Sequence, residues 1–244
     1  MPLLQLRDVT KAYGGIIAVN GASFDVAEGE ITALIGPNGA GKTTAFDTIS
    51  GVVVPDSGAI TFDGEDITGL MSHVITKHGL GRTFQITREL SDMTVLENMV
   101  VSTISNDLGS LLRSRIAADE RDRAMELLAF VGIERLADEP AKSLSYGQRK
   151  LLEFAAVLMT EPRLILLDEP AGGVNPALLE RIMDRIEEIN RKGVSFLIVE
   201  HNMDVVMRLS HSVVVMAHGQ VILQDTPQVV REDHRVLDAY LGDV

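Results

Sequence analysis

The chain contains no cysteine and no tryptophan, and only 4% of its residues are aromatic. Without cysteine there is neither a disulfide framework nor a thiolate metal site. So few rings argue against an aromatic platform for stacking single-stranded nucleic acid. Basic residues are also scarce: 22 lysines and arginines stand against 35 aspartates and glutamates, a formal charge of −13. That balance argues against a broad electrostatic footprint on nucleic acid or on an anionic lipid surface. Long hydrophobic runs are missing too, although 45% of the 244 residues are hydrophobic. No stretch approaches the roughly 20 uninterrupted apolar residues that span a bilayer, so work at a membrane would require docking on another protein. Met1-Pro2-Leu3-Leu4-Gln5 lacks the basic, then apolar pattern of a signal peptide, and a cytosolic protein is expected.

What the chain does have is Gly36-Pro37-Asn38-Gly39-Ala40-Gly41-Lys42-Thr43-Thr44, directly behind the apolar run Ile31-Thr32-Ala33-Leu34-Ile35. This fits the G-x-x-x-x-G-K-[ST] phosphate-binding loop. Its glycines let consecutive backbone N–H groups turn inward around phosphate oxygens, and a helix starting near Lys42 aims its positive end at the same charge. Lys42 is expected to reach the β- and γ-phosphates, and Thr43 to offer its hydroxyl to Mg²⁺. Further on, Leu164-Ile165-Leu166-Leu167 ends in Asp168-Glu169. An acidic turn after an apolar strand is ordinarily structural; behind a phosphate loop it supplies Asp168 for Mg²⁺ and Glu169 to polarise an attacking water. A third segment, Leu144-Ser145-Tyr146-Gly147-Gln148, precedes an amphipathic helix and presents N–H groups at its N-terminus, a second anion site.

Patterning places these motifs on an α/β frame. Residues 3–30 alternate apolar and polar around Gly14-Gly15 and Glu28-Gly29 turns, which predicts antiparallel strands, and a further hairpin is expected at 58–64. The strand 31–35, the loop and a helix to about Ser50 begin a parallel core. Residues 86 to about 160 read as helical, with capping-box spacing at Thr94-Val95-Leu96-Glu97 and an apolar face at Leu151, Phe154, Ala155 and Leu158. Core strands resume at 164–167 and 194–199, Asn175-Pro176 opens a helix, and His218-Gly219 joins a closing hairpin. The expectation is one domain over 1–244: a P-loop NTPase core with a mostly parallel sheet and an N-terminal antiparallel β layer (1–85 and 161–244), and an inserted helical subdomain (86–160).

Taken in order, the loop at 36–43, Gln85, the segment 144–148, Asp168-Glu169 and His201 resemble the nucleotide-binding domain of ABC transporters over essentially the whole chain. The resemblance implies that ATP is sandwiched between the phosphate loop of one subunit and the signature segment of another, in a head-to-tail dimer with two symmetric sites. Ser145, Gly147 and Gln148 would then contact the γ-phosphate across the interface. Gln85 would touch Mg²⁺ and the attacking water while its loop meets a membrane subunit. His201 would contact the γ-phosphate and position Glu169 or the water, and Tyr13 would stack on adenine. The other five histidines are expected to be solvated or capping residues. Two departures stand out: Tyr146 occupies the middle of the signature, where a required positive φ would exclude it, and Asn175 stands where the interface loop often has aspartate.

Three passages narrow the resemblance: Arg82-Thr83-Phe84-Gln85, Leu144 to Gln148, and Glu169 to Pro176, with Ala239-Tyr240-Leu241-Gly242 in agreement. They are similar to the ATPases that energise bacterial uptake of branched-chain or other hydrophobic amino acids. Such systems pair two different ATPases, peripheral on the cytoplasmic face of the inner membrane, with two permease membrane subunits and a periplasmic solute-binding protein, and this chain resembles the ATPase with the Tyr-containing signature. A lipopolysaccharide-export ATPase is the alternative, ranked below because its signature normally keeps the second glycine. A soluble ABC ATPase acting on DNA or ribosomes usually carries a coiled coil or two ATPase units. A non-hydrolysing regulatory binder would need a broken catalytic position, whereas Lys42, Asp168, Glu169 and His201 are all in place.

Overall fold

The computed structural model describes residues 2–83, 90–101 and 116–241. Two sheets organise it. The first is antiparallel, in the order β2-β1-β4-β5, from β1 (Pro2–Tyr13), β2 (Ile16–Ala27), β4 (Ser57–Phe62) and the two-residue β5 (Glu65–Asp66). The expected hairpin at 58–64 is therefore mainly one strand, β4, paired along β1 from Leu4↔Phe62 to Thr10↔Ser57. β5 adds only two cross-strand pairs to it.

The second sheet has six strands in the order β10-β9-β3-β8-β7-β6. β3 (Ile31–Ile35), β7 (Leu164–Asp168) and β8 (Ser195–Val199) are buried at every residue, as expected of parallel strands covered on both faces. β9 (Ser212–Ala217) pairs parallel to β3, and β10 (Gln220–Asp225) closes the edge antiparallel through a turn at His218 and Gly219, both with positive φ. The opposite edge is β6 (Leu80–Arg82), reached through α2 (Ser72–Lys77). The sequence reading did not isolate either element, because six- and three-residue segments are too short to show a period.

Helices cover the sheet. α1 (Lys42–Ile49) packs with the antiparallel layer on one side, where Phe24, Phe46 and Phe62 share a core with Leu34 and Leu166. α3 (Val95–Val101), α4 (Ala118–Val131), α5 (Tyr146–Leu158), α6 (Pro176–Arg191) and α7 (Met203–Leu209) share another core, with Ile165, Leu167 and Phe196 of the sheet. Two short helices, α8 (Pro227–Glu232) and α9 (His234–Leu241), end the described chain.

The local signals act as read. Thr94 and Glu97 form the reciprocal cap of α3: Glu97 Oε2 accepts the Thr94 N–H at 2.7 Å and Thr94 Oγ1 accepts the Glu97 N–H at 3.1 Å. Asn175 accepts the Leu178 N–H at 2.9 Å with Pro176 as first residue of α6. His211 is more than a solvated residue, since its Nδ1 accepts the Ile31 N–H at 3.1 Å and anchors the start of β3.

Candidate functional site

Register sets the site. Leu34 of β3 pairs with Val199 of β8, which pairs with Asp168 of β7, so three adjacent parallel strands end level. Beyond those ends lie Gly36, His201 and Glu169. The carboxyl ends of parallel strands are where open α/β sheets bind ligands, and here three strands deliver a phosphate loop, a histidine and a carboxylate to one edge.

The phosphate loop has its shape imposed from outside. Gly36 has φ +149°, and a Cβ there would lie 2.1 Å from the Met216 carbonyl oxygen. Gly41 has φ +98°, and its Cβ would lie 2.2 Å from the Ala18 carbonyl oxygen. Only glycine fits either place. The turn between β9 and β10 adds a bond, the Gly219 N–H donating to Ala40 O at 3.1 Å. Pro37, Asn38 and Gly39 complete the bend, with Asn38 and Gly39 exposed. Gly41 in left-handed conformation caps α1 without a side-chain bond, leaving the first-turn N–H groups of Lys42, Thr43 and Thr44 to an external acceptor. Lys42 Nζ donates to the carbonyls of Gly36 at 2.7 Å and Pro37 at 2.9 Å. Burial holds its pKa below the ordinary lysine value, opposed by the charges of Glu169 and Asp168.

Asp168 is 4% exposed, and its Oδ2 has no hydrogen-bond partner among the described residues. Arg82 Nη2 stands 3.7 Å from that oxygen, while Nη1 of the same guanidinium donates to Asp47 Oδ1 at 2.7 Å and Ser50 Oγ at 2.6 Å. Burial raises the Asp168 pKa, with Arg82 opposing and Glu169 assisting. A buried carboxylate oxygen left unbonded costs about 1–3 kcal/mol, the kind of deficit a bound cation removes. An oxygen donor of this kind, like the exposed Thr43 hydroxyl of the phosphate loop, suits a hard, oxygen-seeking ion such as Mg²⁺. No cluster of three or more His, Cys, Asp or Glu is found among the described residues.

Glu169 adopts φ +47°, a left-handed conformation that costs a non-glycine residue about 1–3 kcal/mol and persists only where the surroundings enforce it. They do: its N–H donates to Val199 O at 3.0 Å, and its carbonyl accepts from Gly172 N at 2.9 Å and from Lys150 Nζ at 2.8 Å. Its side chain meets His201, with Oε1 3.8 Å from Nδ1. His201 is in turn held by Glu200, which is 1% exposed. Glu200 accepts backbone N–H groups from Ala171 at 2.8 Å, His201 at 3.0 Å and Asn202 at 3.1 Å. Neither Glu200 nor Lys150 was singled out from the sequence. Glu200 carried a signal, an acid ending an apolar strand as at Asp168; Lys150 carried none.

Tyr13, 49% exposed, ends β1. Asp56 steadies it by accepting from Lys11 Nζ at 2.8 Å and the Ala12 N–H at 2.7 Å. Gln85 lies outside the described residues.

The signature segment stands elsewhere. Ser145 caps α5, with Ser145 N donating to Gln148 Oε1 at 2.8 Å and Gln148 N to Ser145 Oγ at 3.4 Å. Tyr146 is the first residue of the helix and is absent from the positive-φ residues, so the backbone accommodates it in place of glycine. Ser145, Gly147 and Gln148 line a cavity of about 530 Å³ with Asn175 and Arg181, and no residue from 36 to 44 lines it. One chain therefore holds two helix N-termini suited to phosphate that do not share a pocket.

Comparison with known proteins bears on the family and the fold. Residues 19–172 match the ABC transporter family. The probable branched-chain amino acid transport ATP-binding protein LivG of Archaeoglobus fulgidus is 38% identical over 99% of this chain and 96% of its own length. The high-affinity branched-chain amino acid transport ATP-binding protein BraF of Pseudomonas aeruginosa is 38% identical over 99% and 98%. A nucleotide-free ATP-binding cassette from an ABC transporter superposes with a TM-score of 0.88 at 34% identity, over 98% of this chain and 99% of that one. A dimeric cassette in a post-hydrolysis state, bound to ADP and Pi, superposes with a TM-score of 0.80 at 26% identity, over 92% and 98%. The chain belongs to the ABC transporter family and is one of its ATP-hydrolysing, nucleotide-binding cassettes.

Proposed function

We propose that this chain is the ATPase subunit of a bacterial importer for branched-chain or other hydrophobic amino acids. The observation that carries the catalytic part is the level ending of β3, β8 and β7, which brings Gly36, His201 and Glu169 to one edge. The solute class is supported by the names of the relatives at 38% identity, and these favour uptake over lipopolysaccharide export.

In this reading Tyr13 stacks on adenine. The backbone N–H groups of 36–44 and the Lys42 ammonium hold the β- and γ-phosphates. Lys42 is poised for this, since ATP would replace the two carbonyls it now contacts with phosphate oxygens. Thr43, Asp168 and Gln85 would hold Mg²⁺, which supplies positive charge to the bridging and γ-phosphate oxygens. Glu169 orients and polarises the attacking water, and His201 steadies the carboxylate and the γ-phosphate.

The signature segment completes the site of a second ATPase subunit, identical or different. Its cavity excludes the chain's own phosphate loop, and a related cassette is dimeric with ADP and Pi. ATP then favours a closed dimer by its differential affinity, and hydrolysis removes the preference. Closure is passed through the Gln85 loop to permease subunits that receive solute from a periplasmic binding protein. No described helix is long and apolar enough to cross a membrane; the proposed place of the subunit is peripheral, at the cytoplasmic face, held by the permease subunits without direct insertion.

The Glu169→Gln variant tests it. Turnover should fall by about 10²–10⁴-fold while MgATP binding persists and a dimer accumulates in size-exclusion chromatography. Unchanged ATPase activity would remove Glu169 from the general-base role, and a monomer at saturating MgATP would remove the shared site.

A further inference from the structure

The catalytic carboxylate and the signature segment serve opposite nucleotides in the proposed dimer, yet within one chain they are tied together. Tyr146 Oη donates to Gly172 O at 3.3 Å, and a Cβ on Gly173 would lie 3.0 Å from Tyr146 Cε1. The ring thus lies on the loop that follows Glu169. One helical turn along α5, Lys150 Nζ stands 5.7 Å from the centroid of the same ring and donates to the Glu169 carbonyl at 2.8 Å. That carbonyl also takes the Gly172 N–H at 2.9 Å, so α5 and the loop 169–173 converge on one atom of a residue held in left-handed conformation.

We infer that Tyr146 and Lys150 form a strap that positions Glu169 according to whether the signature segment of the same chain is engaged by a nucleotide. The inference rests on the shared-site reading above. A γ-phosphate bound at the N-terminus of α5 pulls on its first turn, where Tyr146 sits. Lys150 and the ring then transmit the displacement to the main chain of Glu169. The carbonyl of Glu169 is its responsive end, because its N–H is fixed to the central strand β8 while its carbonyl is held by one flexible ammonium and one loop amide. The carboxylate that activates water on the chain's own ATP is therefore set by the ATP held with the partner. Tyr146, the residue that departs from the usual glycine, is what joins the two.

Both side chains are positioning groups directed at carbonyls of the loop 169–173, so binding and turnover should separate. Lys150→Met keeps the aliphatic stem and removes the ammonium; Tyr146→Phe keeps the ring and removes the hydroxyl. ATP hydrolysis would be followed against ATP concentration in the assembled transporter, with nucleotide affinity and melting temperature measured on the full-length subunit. Lys150→Met is expected to lower kcat about tenfold and bring a Hill coefficient above one down to one. Nucleotide affinity should stay within about twofold and the melting temperature unchanged. Tyr146→Phe should show a smaller loss of the same kind, and Lys150→Arg should restore both quantities.

Wild-type kcat and cooperativity in Lys150→Met would overturn the strap. So would a loss that follows nucleotide affinity or melting temperature, since that marks a merely structural contact. A strap that fails while Glu169→Gln still accumulates an ATP-bound dimer leaves the shared-site reading standing.

Discussion

Two helix N-termini in this molecule are built in opposite ways. At α1 the loop 36–44 is shaped by other parts of the chain: Ala18 and Met216 press on its glycines, and Gly219 bonds to Ala40. Its cap carries no side-chain bond, so the first-turn N–H groups are left to an external acceptor. At α5 the cap is satisfied by its own residues, Ser145 and Gln148, with Ser145 and Tyr146 exposed and Gly147 and Gln148 half-buried. The first terminus is braced by distant parts of the chain and leaves its N–H groups unbonded to any side chain. The second is a stable helix end that gains an anion only when another surface brings one.

That contrast can be broken at either end. Gly41→Ala should have the largest effect, because it adds a Cβ 2.2 Å from a backbone oxygen at φ +98°. Strain of about 1–3 kcal/mol, plus displacement of the loop, should abolish measurable ATP binding in calorimetry while the circular dichroism spectrum persists. Ser145→Ala should act more gently at the other end. Losing the cap costs about 1 kcal/mol, a fall of a few degrees in melting temperature, with ATP binding to the isolated subunit retained and dimer formation on Glu169→Gln weakened. Equal loss of binding in both variants would erase the distinction.

A smaller effect sharpens it through pH. Burial raises the Asp168 pKa above its unfolded value of 3.8, so the folded protein holds that proton more tightly. Its contribution is fully present below pH 3.8 and is lost as pH rises through the folded value. The melting temperature of the nucleotide-free wild type, relative to Asp168→Asn, should therefore decline by no more than a few degrees as pH rises from about 4 to 7. A rising difference would mean that the Arg82 pairing outweighs burial.

Some of the site was legible because its physics is local. The phosphate loop, the Asn175-Pro176 cap, the Thr94–Glu97 box and the apolar strands each depend on a few consecutive residues. Other contributors were not legible for the opposite reason. Lys150 reaches Glu169 across 19 positions, Gly219 reaches Ala40 from the far end of the chain, and Arg82 joins Asp47, Ser50 and Asp168 only after the sheet assembles. Short elements such as β6 have too few residues to show a pattern, so their strand character comes from pairing with β7.

By itself, then, the sequence determined the phosphate-loop motif with its glycines, lysine and threonine, and the carboxylates that end an apolar strand. Those demands are chemical and are met by residue type and spacing. The tertiary structure alone decided how the carboxylates sit: the level strand ends that bring His201 to Glu169, the unbonded oxygen of Asp168, and the left-handed backbone of Glu169. It also decided that Tyr146 would rest on the loop after Glu169, because that contact arises only when α5 packs beside the end of β7.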